Sequence, residues 1–138
     1  MPLLIGNLEF HIERAKDLPN TDYEGWTGSD LTDPFVVGSI GNTKLFNTTT
    51  KDNSLNPVWD ERFLVPVNTI EKFIKIQIQD EEVLIPSEEV GTVFIPCDKL
   101  VRGDEMKGWF DLDFHGRNRG QIKMLIKFYP NECGIANI

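Results

Sequence analysis

The stretch Ile76–Gly91, "IQIQDEEVLIPSEEVG", decides how the chain is read. It opens as a strand, with Ile76 and Ile78 alternating with Gln77 and Gln79. Period-two alternation places the isoleucines on one face and the glutamines on the other, as in a half-buried β-strand. The pattern then stops at Asp80-Glu81-Glu82 and gives way to Val83-Leu84-Ile85-Pro86, with Glu88 and Glu89 beyond. A run of apolar residues fenced by five carboxylates is not a core strand. It reads as a loop whose tip is apolar and whose base is acidic.

Working outward, the same alternation recurs along the chain. Leu8, Phe10 and Ile12 alternate with Glu9 and His11. Phe35 to Val37 follow Pro34, and Phe63, Val65 and Val67 follow Trp59. Val93 and Ile95, then Phe110 and Leu112, then Ile122, Met124, Ile126 and Phe128 complete the series. Turn-forming residues separate the runs at 38–42, 53–57, 103–104 and 116–120. The spacing predicts about eight strands and an all-β sandwich. Helix evidence is confined to "CDKLVRGDEM", enough for a turn or a short helix. The segment "NTDYEGWTGSDLTD" reads as a long loop, and loops of that length usually carry function.

Composition narrows the function. A chain of 138 residues is one domain by size and can bury a proper core. Its formal net charge of −8 argues against nucleic acid, which requires a basic face, and against simple electrostatic docking on an anionic bilayer. The two cysteines, Cys97 and Cys133, have no metal or redox spacing and read as free thiols. No apolar run is long enough for a membrane span, and "MPLLIG" is too short for a signal peptide, so a cytoplasmic location is expected. No G-x-S-x-G nucleophile motif and no histidine pair at metal spacing occurs, so no enzymatic activity is expected of this chain.

The acids fall into three loops: Asp22, Asp30 and Asp33; Asp52 with Asn53 and Asn56; and Asp80, Glu82 and Glu88. Clustered carboxylates repel unless a cation lies between them, and calcium takes six to eight oxygens from such groups. The competing reading is a solvated acidic rim that serves solubility.

These motifs together carry a resemblance. "GNLEFHIERAKDLP", "DLTDPFV", "NPVWDERF" and "IQIQDEE" with the later "EEVG" resemble the C2 domain family, in order and at the family's spacing, over nearly the whole chain. The start on "LEFHIERAKDL" and the close on "GQIKMLIKFYP" resemble the type II, phospholipase-like permutation. The resemblance implies an eight-stranded antiparallel sandwich over 1–130, with 131–138 as a tail hanging free of it. It implies calcium ligands at Asp33 and Asp80, with Glu82 and Glu88 where the family usually has shorter side chains, and Asn53 from the second loop. In the first loop Asp30 matches the phospholipase pattern and Asp22 the synaptotagmin pattern; Asp30 fits the spacing better. Val83, Leu84 and Ile85 fall where lipid-inserting residues sit, and Tyr23, Trp26 and Leu31 form a candidate second tip. The implied function is calcium-dependent binding to a phospholipid membrane surface, reversible and peripheral. A calcium-independent protein-interaction module, with a protein partner or a larger parent protein, is the alternative. Trp59 is expected in the core, Trp109 in core or edge packing, and His115, Arg117 and Arg119 in a solvated basic turn.

Overall fold

The computed structural model describes residues 3–20, 31–82 and 85–131. Eight strands form, seven of them on the alternating runs: β1 (Leu4–Lys16), β2 (Pro34–Ile40), β3 (Thr43–Asn47), β4 (Val58–Thr69), β5 (Phe73–Asp80), β6 (Glu88–Pro96), β7 (Met106–Phe114) and β8 (Arg117–Pro130), with β3 the strand that no alternation marks. A short helix, α1 (Cys97–Val101), lies between β6 and β7. Among the described residues no helix is long and apolar enough to cross a membrane.

All pairings are antiparallel, in one sheet of order β3-β2-β5-β6-β7-β8-β1-β4. The sheet is weakest at its middle, where β6 and β7 share the single pair Thr92–Asp113. There it folds back on itself into two layers, β3-β2-β5-β6 over β7-β8-β1-β4. The proof is aromatic. Phe46 of β3, at one end of the strand order, stacks on Phe63 of β4, at the other end, with ring centroids 4.7 Å apart. Phe46 also meets Phe10 of β1 at 4.7 Å. Gly38 of β2 makes room, because a Cβ there would overlap the Phe46 ring.

Between the layers lie the alternating residues of the sequence: Leu8, Phe10, Ile12, Ile74, Ile76, Ile78, Ile122, Met124 and Ile126, all essentially excluded from water. Trp59 joins them, as expected. Cys97 and Leu100 of α1 close the core at the end away from Asp80. Burial and the neighbouring Asp98 and Glu71 charges push the Cys97 thiol up to about 11. Cys133 and the tail 132–138 lie outside the described residues.

Three local expectations change. The turn read at 38–42 is only Gly41–Asn42, because β2 continues to Ile40. The turn read at 116–120 shrinks to His115-Gly116, both at positive φ (51° and 81°), a tight connection that lets β8 begin at Arg117. Arg119 is therefore a strand residue and not part of a solvated turn. Its guanidinium lies 4.9 Å from the centre of the Phe114 ring, and its Nε is buried. Trp109 packs at the surface, half-buried, with Lys16 Nζ 4.2 Å from its ring centre.

Candidate metal and membrane site

Register places the acids. Pro34 of β2 pairs with Asp80 of β5, and Asp80 pairs with Glu88 of β6. Asp33, Asp80 and Glu88 thus stand at the same ends of three neighbouring strands, although Glu88 is 55 residues from Asp33 in the chain. One-end clustering of residues remote in sequence is a product of antiparallel pairing alone.

Hydrogen bonds fasten this end. The Asp80 side chain is wholly buried, and its Oδ1 accepts the backbone N–H of Asp33 at 2.9 Å. The Asp33 carbonyl accepts the N–H of Glu81 at 3.0 Å. Asp33 Oδ1 accepts the N–H of Asn53 at 2.7 Å, and Asn53 Oδ1 accepts the N–H of Leu31 at 3.0 Å. Asn53 sits at φ 50°, a left-handed conformation that asparagine tolerates better than most side chains. Ser54 N–H to the Thr32 carbonyl (2.9 Å) and Lys51 N–H to the Pro34 carbonyl (3.0 Å) finish the lacing of the second loop onto the first. Burial of a carboxylate is costly unless it is hydrogen-bonded, and here the acceptor is spent on the backbone of another candidate ligand.

The sequence-derived candidates divide as follows. Asp33, Asn53 and Asp80 are brought together as one bonded chain. Glu82 is half-buried and Glu88 exposed. Asp22 and Asp30 lie outside the described residues, as do Tyr23, Trp26, Val83 and Leu84. Among the described residues no three His, Cys, Asp or Glu side chains group closely enough to hold an ion. Of the apolar tips, Ile85 is 57% exposed and does not fold back onto the sandwich, whereas Leu31 is half-buried. Asn56, from the second loop, is engaged elsewhere: its Oδ1 accepts the N–H of Asp17 at 3.0 Å.

Glu81 is a residue that sequence reasoning passed over. Its carboxylate accepts the Thr50 hydroxyl at 3.1 Å, tying the third loop to the second. Nothing in the local sequence marks it, because the bond joins residues 31 apart in the chain.

The family model of the C2 domain matches residues 6–112. The chain belongs to the C2 domain family. Phospholipase D gamma 1 of Arabidopsis thaliana is 33% identical over 128 residues, covering 80% of this chain and 15% of that protein. Synaptotagmin-4 of the same plant is 30% identical over 146 residues, covering 96% of this chain and 24% of that protein. This C2 chain therefore spans a quarter or less of the length of these curated relatives. Among solved structures, a single C2 domain of plant Extended Synaptotagmin 1 superposes with a TM-score of 0.75 at 23% identity, covering 95% of this chain and 98% of that one. The calcium-bound tandem C2 domains of Extended-Synaptotagmin 2 give 0.78 at 21%, covering 99% and 51%. The strand order of this C2 domain is compatible with the type II permutation.

Proposed function

We propose that this C2 domain is a calcium-dependent module that binds phospholipid membranes reversibly, itself without catalytic activity. The observation that carries the proposal is the Asp80 carboxylate, buried at the end of β5 and bonded to the Asp33 backbone, a short distance in sequence from the exposed Ile85. The described candidate ligands Asp33, Asn53, Asp80, Glu82 and Glu88 all offer a side-chain oxygen, which fits a hard cation. Asp33 and Asp80 would hold calcium, with Asp30 or Asp22 from the first loop and Asn53, Glu82 and Glu88 completing its shell. Calcium would supply positive charge where the chain is acidic.

The protein's own residues do the remainder. Without a cation the acids repel an anionic bilayer; once neutralised they let the apolar tip approach it. Burying one tip side chain such as Leu84 or Ile85 stabilises the docked state by roughly 1.5–3 kcal/mol. The segments 21–33 and 80–91 contain no lysine or arginine, so zwitterionic headgroups suit them.

The test is melting in EGTA and in millimolar calcium. A site of about 100 µM at 1 mM calcium adds ~1.4 kcal/mol, several degrees in Tm. Magnesium should not reproduce the shift, and Asp33→Asn should abolish it. Leu84→Ala with Ile85→Ala should keep the shift and lose liposome co-sedimentation. Absence of any calcium effect, with or without liposomes, would leave the calcium-independent protein-interaction module as the better reading.

A further inference from the structure

The outer face of the first layer carries an apolar groove at the end remote from the carboxylates. Ile70, Phe73 and Phe94 line it, 57%, 51% and 57% exposed, in a depression of about 560 Å³. The two phenylalanine rings meet edge to face at 6.3 Å. Isolated exposed apolar side chains are ordinary, but a contiguous group in a recess marks an interaction surface.

The rim is basic. Lys72 and Lys75 line the same groove, and neither joins an ion pair among the described residues. Register extends the row across the sheet: Lys44 pairs with Ser39, Ser39 with Lys75, and Lys75 with Phe94. Glu71 is the acid among the lining residues. In a chain of net charge −8, this is a locally cationic, aromatic strip.

We propose that this groove docks an acidic segment of a partner protein, its large apolar side chains seated on Phe73 and Phe94 and its carboxylates on Lys72 and Lys75. Position favours a protein over a lipid surface. Phe73 begins β5 and Asp80 ends it, which separates the groove from the carboxylate end by roughly 23 Å at 3.3 Å per residue. With the loops on a bilayer, the groove is left open to a protein. The choice of a protein over a lipid rests on the proposed docking of the loops on a membrane, whereas the groove itself is formed without calcium.

The test is fluorescence anisotropy in EGTA with a fluorescein-labelled peptide of alternating glutamate and leucine, beside an all-glutamate peptide and a lysine–leucine peptide. Only the first should bind, weakening as salt rises. Phe73→Ser with Phe94→Ser should lower its affinity at least tenfold, as should Lys72→Glu with Lys75→Glu, with Tm held within a few degrees. Leu64→Ser, at a 66% exposed position on the other layer, should change nothing. Equal binding of the all-glutamate peptide, or equal loss in Leu64→Ser, would overturn the proposal. So would vesicles of phosphatidylserine and phosphatidylcholine binding in EGTA through these same four residues while the peptide does not.

Discussion

Strand β5 inverts the usual rule at both of its ends. Its first residue, Phe73, is half in water, and its last, Asp80, is wholly out of it. Between them Ile74, Ile76 and Ile78 are buried in the ordinary way. An exposed aromatic group and a buried carboxylate are the informative exceptions in a folded protein. Here one strand carries both, at opposite ends of the sandwich. The carboxylate end is laced by hydrogen bonds from three loops, whereas the aromatic end is closed from within by Cys97 and Leu100 and left apolar outside. The difference teaches that one strand can present two unlike ends when the buried run Ile74, Ile76 and Ile78 holds its register.

The strongest way to break that comparison is at its middle. Ile76→Ala should cost about 2–5 kcal/mol by removing a fully buried side chain and leaving a cavity. Urea melting should show the loss, and both ends should weaken together, since both depend on the register of β5. A variant that lost stability at one end alone, by amide hydrogen exchange, would contradict a shared core.

A smaller effect separates charge from hydrogen bonding at the carboxylate end. Asp80→Ala strands the Asp33 N–H, costing about 1–3 kcal/mol in EGTA. Asp80→Asn keeps an acceptor there and should melt in EGTA within about 1 kcal/mol of the parent. Both should lose the calcium-induced shift. If the asparagine variant were as unstable in EGTA as the alanine one, the Asp80 bond to Asp33 would not be the feature that matters.

A last effect, absent at neutral pH, reads the other end. The Cys97 thiol is raised from 9.0 to about 11 by burial first, then by Asp98 and Glu71. The native protein should therefore hold its proton where the unfolded chain releases it. This contribution is full below pH 9 and lost as pH rises through 11, so stability should fall over that window. In a Cys133→Ser background, iodoacetamide at pH 8 should label Cys97 roughly a hundredfold more slowly when native than in urea. Equal rates would mean that α1 does not close the core.

Much of this was legible in the residues. Strand runs such as Leu8-Phe10-Ile12 and Ile122-Met124-Ile126 declare themselves because a sheet with one wet face imposes period two directly on sequence. The short helix at Cys97 falls in the run read as a turn or short helix, the core place of Trp59 was implied by the family resemblance, and the acids of the third loop stood out by interrupting the alternation. Arg119 was misread because glycines and polar residues at 116–120 look alike in a turn and in the first residues of a strand that leaves one. Phe73 and Phe94 were passed over although a signal existed. Phe73 shares the phase of Lys75, Gln77 and Gln79, the wet face of β5, where an aromatic group is out of place.

By itself, then, the sequence determined the strands, their wet and dry faces, and the membership of the C2 family, because these depend on local period and on motifs contiguous in the chain. Only the tertiary structure decided that Asp80 is buried against the backbone of Asp33, that Asn53 laces the second loop to the first, and that Phe94 lies beside Phe73 in a groove that Lys72 and Lys75 also line. Those are relations between strands distant in sequence. They are fixed by antiparallel register and by the folding of the sheet at Thr92–Asp113, which no local pattern encodes.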